Sequence, residues 1–292
     1  MTPSATGIVE TADASAKLNL FLHVTGRRAD GYHLLDSLVA FAEIGDRITA
    51  IPAHGLSLSI TGPFAAALAG EDDNLVLRAA RLLAEEAGCE PGAALTLEKN
   101  LPVAAGIGGG SADAAATLRA LIRLWGLEMA PERLIALGLK LGADVPACLL
   151  DRPCRLSGIG EALTPLPALP ALPVLLVNPG LPLSTPAVFR ARTGDYGAAA
   201  PAILPEEPAA LLEFLHAQRN DLAEAARALV PQIGTVLARL DALPGCLLAR
   251  LSGSGPTCFA LMRDPESAQA GALALQAMQP DWWVRASRIR PV

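Results

Sequence analysis

The stretch Leu101-Pro-Val-Ala-Ala-Gly-Ile-Gly-Gly-Gly-Ser-Ala-Asp-Ala-Ala-Ala116 decides the reading of this chain. Four glycines fall within residues 106–110, and good helix formers follow at once. Backbone N–H groups at a helix start have no internal partners, and the helix dipole favours an anion there. Glycine lets the backbone come close to that anion and adopt positive φ. Ser111 reads as the helix N-cap and Asp113 as a first-turn acid. Residues 95–98 alternate like a short strand ahead of the loop. Behind it Ala114, Leu118, Leu121, Ile122 and Trp125 keep helical spacing until Gly126. Strand, glycine loop, helix is the order of a phosphate-binding turn, and a plain capping or packing turn is the alternative. Two familiar phosphate motifs are excluded: no Lys follows the glycines, and Ser111 stands where the last Gly of a dinucleotide fingerprint belongs.

Working outward, residues 16–25 alternate. Ala16, Leu18, Leu20, Leu22 and Val24 share one face, and Lys17, Asn19, Phe21 and His23 share the other. This predicts a half-buried strand whose Lys17 face opens to a cleft. Asp30-Gly31 marks a tight turn, followed by Tyr32-His33. Residues 74–87 predict a helix with Leu75, Leu82 and Leu83 inward and Gly88 at its end. A further helix starts near Pro131 and stops at Gly142. Pro146 biases Val145 to an extended form, which places Asp144 on a turn.

The Pro-rich residues 165–173 read as a connection between two halves. Beyond it, residues 174–177 predict a buried strand, and 208–227 and 231–243 predict helices. Residues 247–251 and 257–261 predict strands flanking Ser252-Gly-Ser-Gly-Pro256. No internal repeat is visible. Strands and helices mix without strict alternation, which predicts an α+β fold.

Composition bounds the function classes. The 292 residues suit one large domain or two smaller ones, and 52% hydrophobic with 18% charged residues excludes a disordered chain. A net charge of −6 argues against non-specific binding to nucleic acid or anionic membranes. The most apolar run, residues 163–177, is broken by Pro165, Pro167, Pro170 and Pro173, so no membrane helix is expected. Residues 1–16 lack the basic start and apolar block of a signal peptide. Five cysteines, with no C-x-x-C, read as small buried hydrophobes in a reducing cytoplasm, and a zinc site is not expected.

The quoted glycine stretch resembles the second signature of the GHMP kinases, the small-molecule kinases of the galactokinase, homoserine kinase and mevalonate kinase superfamily. Ala16-Lys-Leu-Asn-Leu20, Arg28-Ala-Asp-Gly-Tyr-His33, Leu141-Gly-Ala-Asp-Val-Pro146, Gly158-Ile-Gly-Glu161 and Ser252-Gly-Ser-Gly255 follow in order. Together they resemble the branch that recognises a cytidine diphosphate substrate, from about residue 14 to the C-terminus. Ala104 and Ala105 depart from the pattern, standing where the family often has glycines, and stiffen the front of the loop.

The resemblance implies a two-domain α+β GHMP fold with the active site in the cleft between the domains. Residues 1–160 would bind ATP, and 161–292 would contribute to substrate binding. It implies transfer of the ATP γ-phosphoryl group to the 2-hydroxyl of a methylerythritol moiety carried on cytidine diphosphate. That is a step of the non-mevalonate route to isoprenoid precursors. By the same resemblance Asp144 is the catalytic base and Lys17 its electrostatic partner. Pro102, Val103, Ala104, Ala105, Gly106, Ile107, Gly108, Gly109, Gly110, Ser111 and Ala112 hold the ATP phosphates. Asn19, Tyr32, His33, Thr185 and Asp144 contact substrate, with Tyr32 and His33 around the cytidine. Ser111 either caps its helix or also approaches Mg²⁺ carried on the phosphates. Oligomeric state is left open, a homodimer included. Two rivals stand beside this reading: a kinase of another small alcohol such as homoserine or mevalonate, and an inactive nucleotide-binding regulator.

Overall fold

In the computed structural model, which describes residues 8–70 and 73–291, the two longest strands come first: β1 (Glu10–Arg27) and β2 (His33–Ile51). They pair, and the expected Asp30-Gly31 turn joins them, with Gly31 at φ 93° and the Arg28 amide donating to the Tyr32 carbonyl at 2.8 Å. Part of the leader expectation falls on residues 1–7, outside the described residues.

The chain packs into two units that do not follow a single cut. The first comprises the described residues up to Ser15, then Gly45–Val103 and Gly109–Leu150; the second comprises Ala16–Ile44, Ala104–Gly108 and the chain from Asp151. β1 and β2 contribute residues to both.

In the first unit, the end of β2 pairs antiparallel with β4 (Ala93–Glu98), and β4 pairs parallel with β3 (Leu56–Thr61). Four helices complete it: α1 (Leu75–Ala87), α2 (Gly109–Leu124), α3 (Pro131–Leu141) and α4 (Val145–Leu150). The Asn74 side chain caps α1 by accepting from the Val76 amide, and Gly88 closes it in the left-handed conformation. α1 turns Val76, Ala79, Ala80, Leu83 and Ala84 inward. Leu75 and Leu82, expected inward, lie at the edges of that face and are only partly covered.

α2 starts three residues earlier than its sequence suggested, at Gly109 rather than Ala112. Ser111 therefore sits inside the first turn rather than capping it, and Asp113 is carried one residue beyond that turn and buried. Pro146 does not hold Val145 extended. Val145 opens α4, and Pro146 sits in the first turn, where a missing N–H costs nothing.

The second unit holds the start of β2 paired with β5 (Cys154–Gly158), and β5 paired with β6 (Ala162–Pro165). It also holds a four-stranded antiparallel sheet in the order β10 (Trp283–Arg288), β7 (Pro173–Asn178), β9 (Cys258–Met262), β8 (Cys246–Leu251). The Pro-rich segment links β6 to β7 inside this unit. Its helices are α5 (Thr185–Ala191), α6 (Pro208–His216), α7 (Ala223–Leu229), α8 (Gln232–Asp241) and α9 (Pro265–Met278). The single helix expected over 208–227 is two, because Asn220 leaves the helix to bridge to Leu22 of β1. The core gathers Leu175 and Val177 of β7, Ala260 of β9, Ile233, Val236 and Leu240 of α8, and Leu275 of α9. Among the described residues no helix is long and apolar enough to cross a membrane.

Candidate active site

β1 is buried on both faces, which corrects the half-buried expectation. Lys17, Asn19, Phe21 and His23 are as enclosed as the leucines opposite them, and Lys17 is 4% exposed. A buried polar row must be hydrogen-bonded. The Asn19 amide nitrogen donates to Ser37 Oγ at 2.8 Å, and Ser37 Oγ donates to the Phe21 carbonyl at 2.5 Å. The Asn19 backbone amide donates to Ser252 Oγ at 3.3 Å. Asn19 is thus fixed from the neighbouring strand and from the Ser252-Gly-Ser-Gly255 loop. Ser37 and Ser252 are holders that the sequence reading did not single out for this task.

The front of the phosphate loop is bound to the same unit. The Lys17 amide donates to the Ile107 carbonyl at 2.9 Å, Ser252 Oγ donates to the Gly106 carbonyl at 3.1 Å, and the Thr257 amide donates to the Ala105 carbonyl at 3.1 Å. Ile107 is fully buried, so its backbone, not its side chain, is what the loop presents. Pro102 and Ala105 are buried as well, while Val103, Ala104 and Gly110 are exposed. Gly106 has φ 72°, and a Cβ there would lie 2.5 Å from the Gly255 carbonyl oxygen. Gly108 has φ 65°, and its Cβ would meet Lys17 Cβ at 3.0 Å. Both glycines are therefore demanded by close packing as well as by conformation. Ala104 takes φ 52° without being glycine.

The rear of the loop belongs to the first unit. Gly109, Gly110, Ser111 and Ala112 form the first turn of α2, with Ala112 buried and Ser111 half-buried. Beneath them lies a buried ionic group missed by sequence reasoning. Lys99 Nζ donates to Asp46 Oδ2 at 2.5 Å and to Asp113 Oδ2 at 2.7 Å. Asp46 Oδ1 also accepts the Asn100 and Leu101 amides, at 2.5 and 2.7 Å. Burial, opposed by Lys99 but reinforced by Asp46, pushes the Asp113 carboxyl up to about 7. Burial works against the Lys99 ammonium, but Asp113 and then Asp46 outweigh it, so its pKa ends above the usual lysine range. No pattern of spacing announces three charges so far apart in the chain.

Asp144 lies on the turn before α4, as expected, and is half-buried. Its carbonyl accepts the Cys148 amide at 3.2 Å, and Arg119 of α2 donates to the Cys148 carbonyl at 2.7 Å. The turn carrying Asp144 is thereby tied to the helix carrying the phosphate loop.

His33 lies face to face with Phe189 of α5, with ring centroids 5.1 Å apart, and Tyr196 stands 6.4 Å from it. Burial, then Arg27 and Arg192, hold the His33 imidazole below its ordinary value, in its neutral form. Tyr32 is 62% exposed and stands outside this group. Phe189 and Tyr196 escaped the sequence reading because isolated aromatics carry no motif. Thr185 opens α5, and its hydroxyl shares a hydrogen bond of 2.7 Å with Ser254. It joins the Ser252 loop to the element that carries Phe189.

A glycine loop opening onto a helix start is the geometry of a phosphate-binding turn, the part a small-molecule kinase needs. The match to family models agrees: GHMP kinases N terminal domain over residues 74–152 and GHMP kinases C terminal over residues 199–281. The chain is 56% identical over 290 residues to the 4-diphosphocytidyl-2-C-methyl-D-erythritol kinase of Rhodospirillum rubrum, covering 98% of this chain and 94% of that one. It is also 56% identical to the enzyme of the same name from Paracoccus denitrificans, covering 95% and 96%. A crystal structure of 4-(cytidine 5'-diphospho)-2C-methyl-D-erythritol kinase matches at TM-score 0.79 and 38% identity, covering 96% of this chain and 99% of that one. Homoserine kinase from Cytophaga hutchinsonii, at 17% identity and TM-score 0.69, shares the fold. The chain belongs to the GHMP kinases and, within them, to the 4-diphosphocytidyl-2-C-methyl-D-erythritol kinase family.

Proposed function

We propose that the chain transfers the γ-phosphoryl group of ATP to the 2-hydroxyl of 4-diphosphocytidyl-2-C-methyl-D-erythritol, giving the 2-phosphate and ADP in the non-mevalonate isoprenoid precursor route. The observation that carries this reading is the near full-length match to kinases named for that substrate. Asp144 accepts the hydroxyl proton as that oxygen attacks the γ-phosphorus, and the bond from phosphorus to the β,γ-bridging oxygen breaks. Lys17 supplies positive charge that favours the ionised carboxylate and the developing alkoxide. The glycine loop, residues 102–112, holds the phosphates through backbone N–H groups and the start of α2. Asn19, already fixed by Ser37 and Ser252, and Thr185 orient the alcohol. His33 and Tyr32 engage the cytosine, and Phe189 keeps the His33 ring in place. By this reading residues 1–160 carry most of the nucleotide-binding signatures, and 161–292 contribute to substrate binding.

Among the described residues no group of three or more His, Cys, Asp or Glu side chains is placed to hold a metal ion. That donor chemistry fits a Mg²⁺ carried mainly on the ATP phosphates, with the Ser111 hydroxyl as the protein's contribution. When bound, the ion offsets charge on the β- and γ-phosphates. The chain is read as a cytoplasmic enzyme, with a homodimer as one assembly to be tested.

The test is ADP release by the purified protein with ATP and Mg²⁺, comparing the cytidyl substrate with homoserine, mevalonate and galactose. Turnover confined to the cytidyl compound is expected. Turnover with another alcohol overturns the substrate assignment and the roles of Tyr32 and His33. ATP binding without turnover on any of them favours the regulator. Asp144→Asn is expected to bind ATP normally and to lose turnover by at least about a hundredfold, the usual weight of a general base.

A further inference from the structure

The Lys99, Asp46 and Asp113 group lies in no role that the reaction requires, yet it touches both ends of the phosphate loop. At the entry, Asp46 Oδ1 accepts the amides of Asn100 and Leu101, immediately before Pro102. At the exit, Asp113 of α2 is held by Lys99 at 2.7 Å, and a Cβ on Gly109 would stand 3.2 Å from Lys99 Nζ. All three side chains are at least nine-tenths buried. Asp46 is saturated with three donors, whereas Asp113 Oδ1 has no hydrogen-bond partner among the described residues. A buried ion triad of this kind contributes little net stability compared with apolar packing, because desolvation consumes the Coulombic gain. What it does supply is geometry. One ammonium fixes the separation of two carboxylates: Asp46 of β2, which holds the segment entering the loop, and Asp113 of the helix leaving it.

We propose that Lys99, Asp46 and Asp113 form a positioning clamp that holds the two ends of the phosphate loop in their nucleotide-binding arrangement before the nucleotide arrives. The clamp rests on the reading of residues 102–112 as an ATP site. None of its members touches the reacting atoms; they act through the backbone of Asn100 and Leu101 and through the placement of α2. Preorganisation of this kind lowers the ordering cost of binding, so its loss falls on nucleotide affinity rather than on the chemical step.

The test compares Asp113→Ala with Asp113→Asn. Asp113→Ala opens the exit end and leaves Lys99 and Asp46 as a neutral pair. Asp113→Asn keeps an amide oxygen for Lys99 to bind. Titration calorimetry with ATP and Mg²⁺, and steady-state kinetics with the cytidyl substrate, are run on both. Asp113→Ala is expected to weaken ATP binding about tenfold, the worth of one charge-assisted hydrogen bond, and Asp113→Asn to restore most of it. The KM for the cytidyl substrate, and kcat at saturating ATP, are expected to stay at wild-type values. Equal losses for both substrates, an unchanged ATP affinity in a folded Asp113→Ala, or an Asp113→Asn no better than Asp113→Ala each overturn the proposal. Hydrogen exchange on the unaltered protein gives a second reading that needs no variant. Without nucleotide, the Asn100 and Leu101 amides are expected to exchange as slowly as β4, and fast exchange there overturns a preformed clamp. A wild-type protein that binds no ATP defeats the phosphate-loop reading and the clamp together, whereas ATP binding without this selectivity defeats the clamp alone.

Discussion

Gly106 and Gly110 stand four positions apart in one motif, and the structure gives them different reasons for being glycine. Gly106 has φ 72°, and an added Cβ would lie 2.5 Å from the Gly255 oxygen and 2.8 Å from its nitrogen and carbon. These are backbone atoms and cannot swing away. The left-handed conformation alone costs a non-glycine residue about 1–2 kcal/mol, and displacing the Gly255 loop brings Gly106→Ala to about 2–4 kcal/mol. For a chain of this size that lowers the melting temperature by about 5–12 °C. Gly110 is the opposite case. It lies in the first turn of α2, its φ is not positive, and a Cβ would meet no atom within 4 Å. Alanine in place of glycine favours a helix by about 0.5–1 kcal/mol, so Gly110→Ala is expected to melt slightly higher than the wild type.

The two variants part again on nucleotide binding. The exposed space over Gly110 is where a phosphate would approach the helix start, and a methyl group there is expected to weaken ATP at least about tenfold. Gly106→Ala is expected to lose both stability and ATP affinity, because the backbone it moves is part of the loop. Thermal unfolding followed by fluorescence, with ATP titration at 25 °C, reads both properties. A Gly106→Ala protein melting with the wild type would refute the backbone contact with Gly255. A Gly110→Ala protein binding ATP like the wild type would refute the claim that the phosphates lie over α2.

Three further outcomes follow from single residues. Ala104 already occupies the left-handed region at φ 52°. Ala104→Gly relieves that strain but gives the unfolded chain more freedom, so thermal unfolding should show a net gain of about 0.5–1 kcal/mol. Arg250 is a buried cation that donates to the carbonyls of Leu20, Leu215 and Gln218, at 2.7, 2.9 and 2.9 Å, and burial brings its pKa down to about 10. Arg250→Met strands those three acceptors and should cost about 3–5 kcal/mol in a denaturant titration. His23 is held below 6.5 by burial first and then by Arg219, with Asp221 and Asp36 pulling weakly the other way. The unfolded state therefore takes up the proton more readily, so stability is full above 6.5 and declines as the pH falls below it. His23→Gln should flatten that decline in unfolding experiments between pH 5 and pH 7.

The elements carrying chemistry were the most legible from sequence, for a physical reason. Glycine loops and the Asp30-Gly31 turn are specified by a few neighbouring residues, and local rules read them directly; Asp144 does lie on a turn, but because Pro146 sits in the first turn of α4 rather than because it holds Val145 extended. The Lys17 strand shows where such rules stop. Period-two alternation places Lys17 and Asn19 on one face, but it does not say whether that face meets water. The polar face of β1 is buried because Ser37, Ser252 and the loop at Ile107 supply partners for it, and two of those partners lie far away in the chain. The start of α2 was misplaced for a related reason. Ser is a good cap by composition, yet the helix begins at Gly109, and Asp113 turns inward to a lysine that no periodicity links to it. The aromatic group at His33 depends on α5, which seven residues announce too weakly to be read.

The phosphate loop itself is one stretch of sequence held by two sets of contacts. Residues 104–108 are fixed through their carbonyls, which accept from the Lys17 and Thr257 amides and the Ser252 hydroxyl, all in the second unit. Residues 109–113 are fixed by the packing of α2 and by Lys99, all in the first. The change occurs between Gly108 and Gly109, where the chain has no side chain on either residue. A motif spelled as a run of glycines therefore encodes two demands at once. Gly106, Gly108 and Gly109 admit the backbones and the lysine side chains that press against them, and Gly110 leaves room over a helix start. The first demand concerns folding and the second concerns a ligand, which is why substitution within a single motif separates the two.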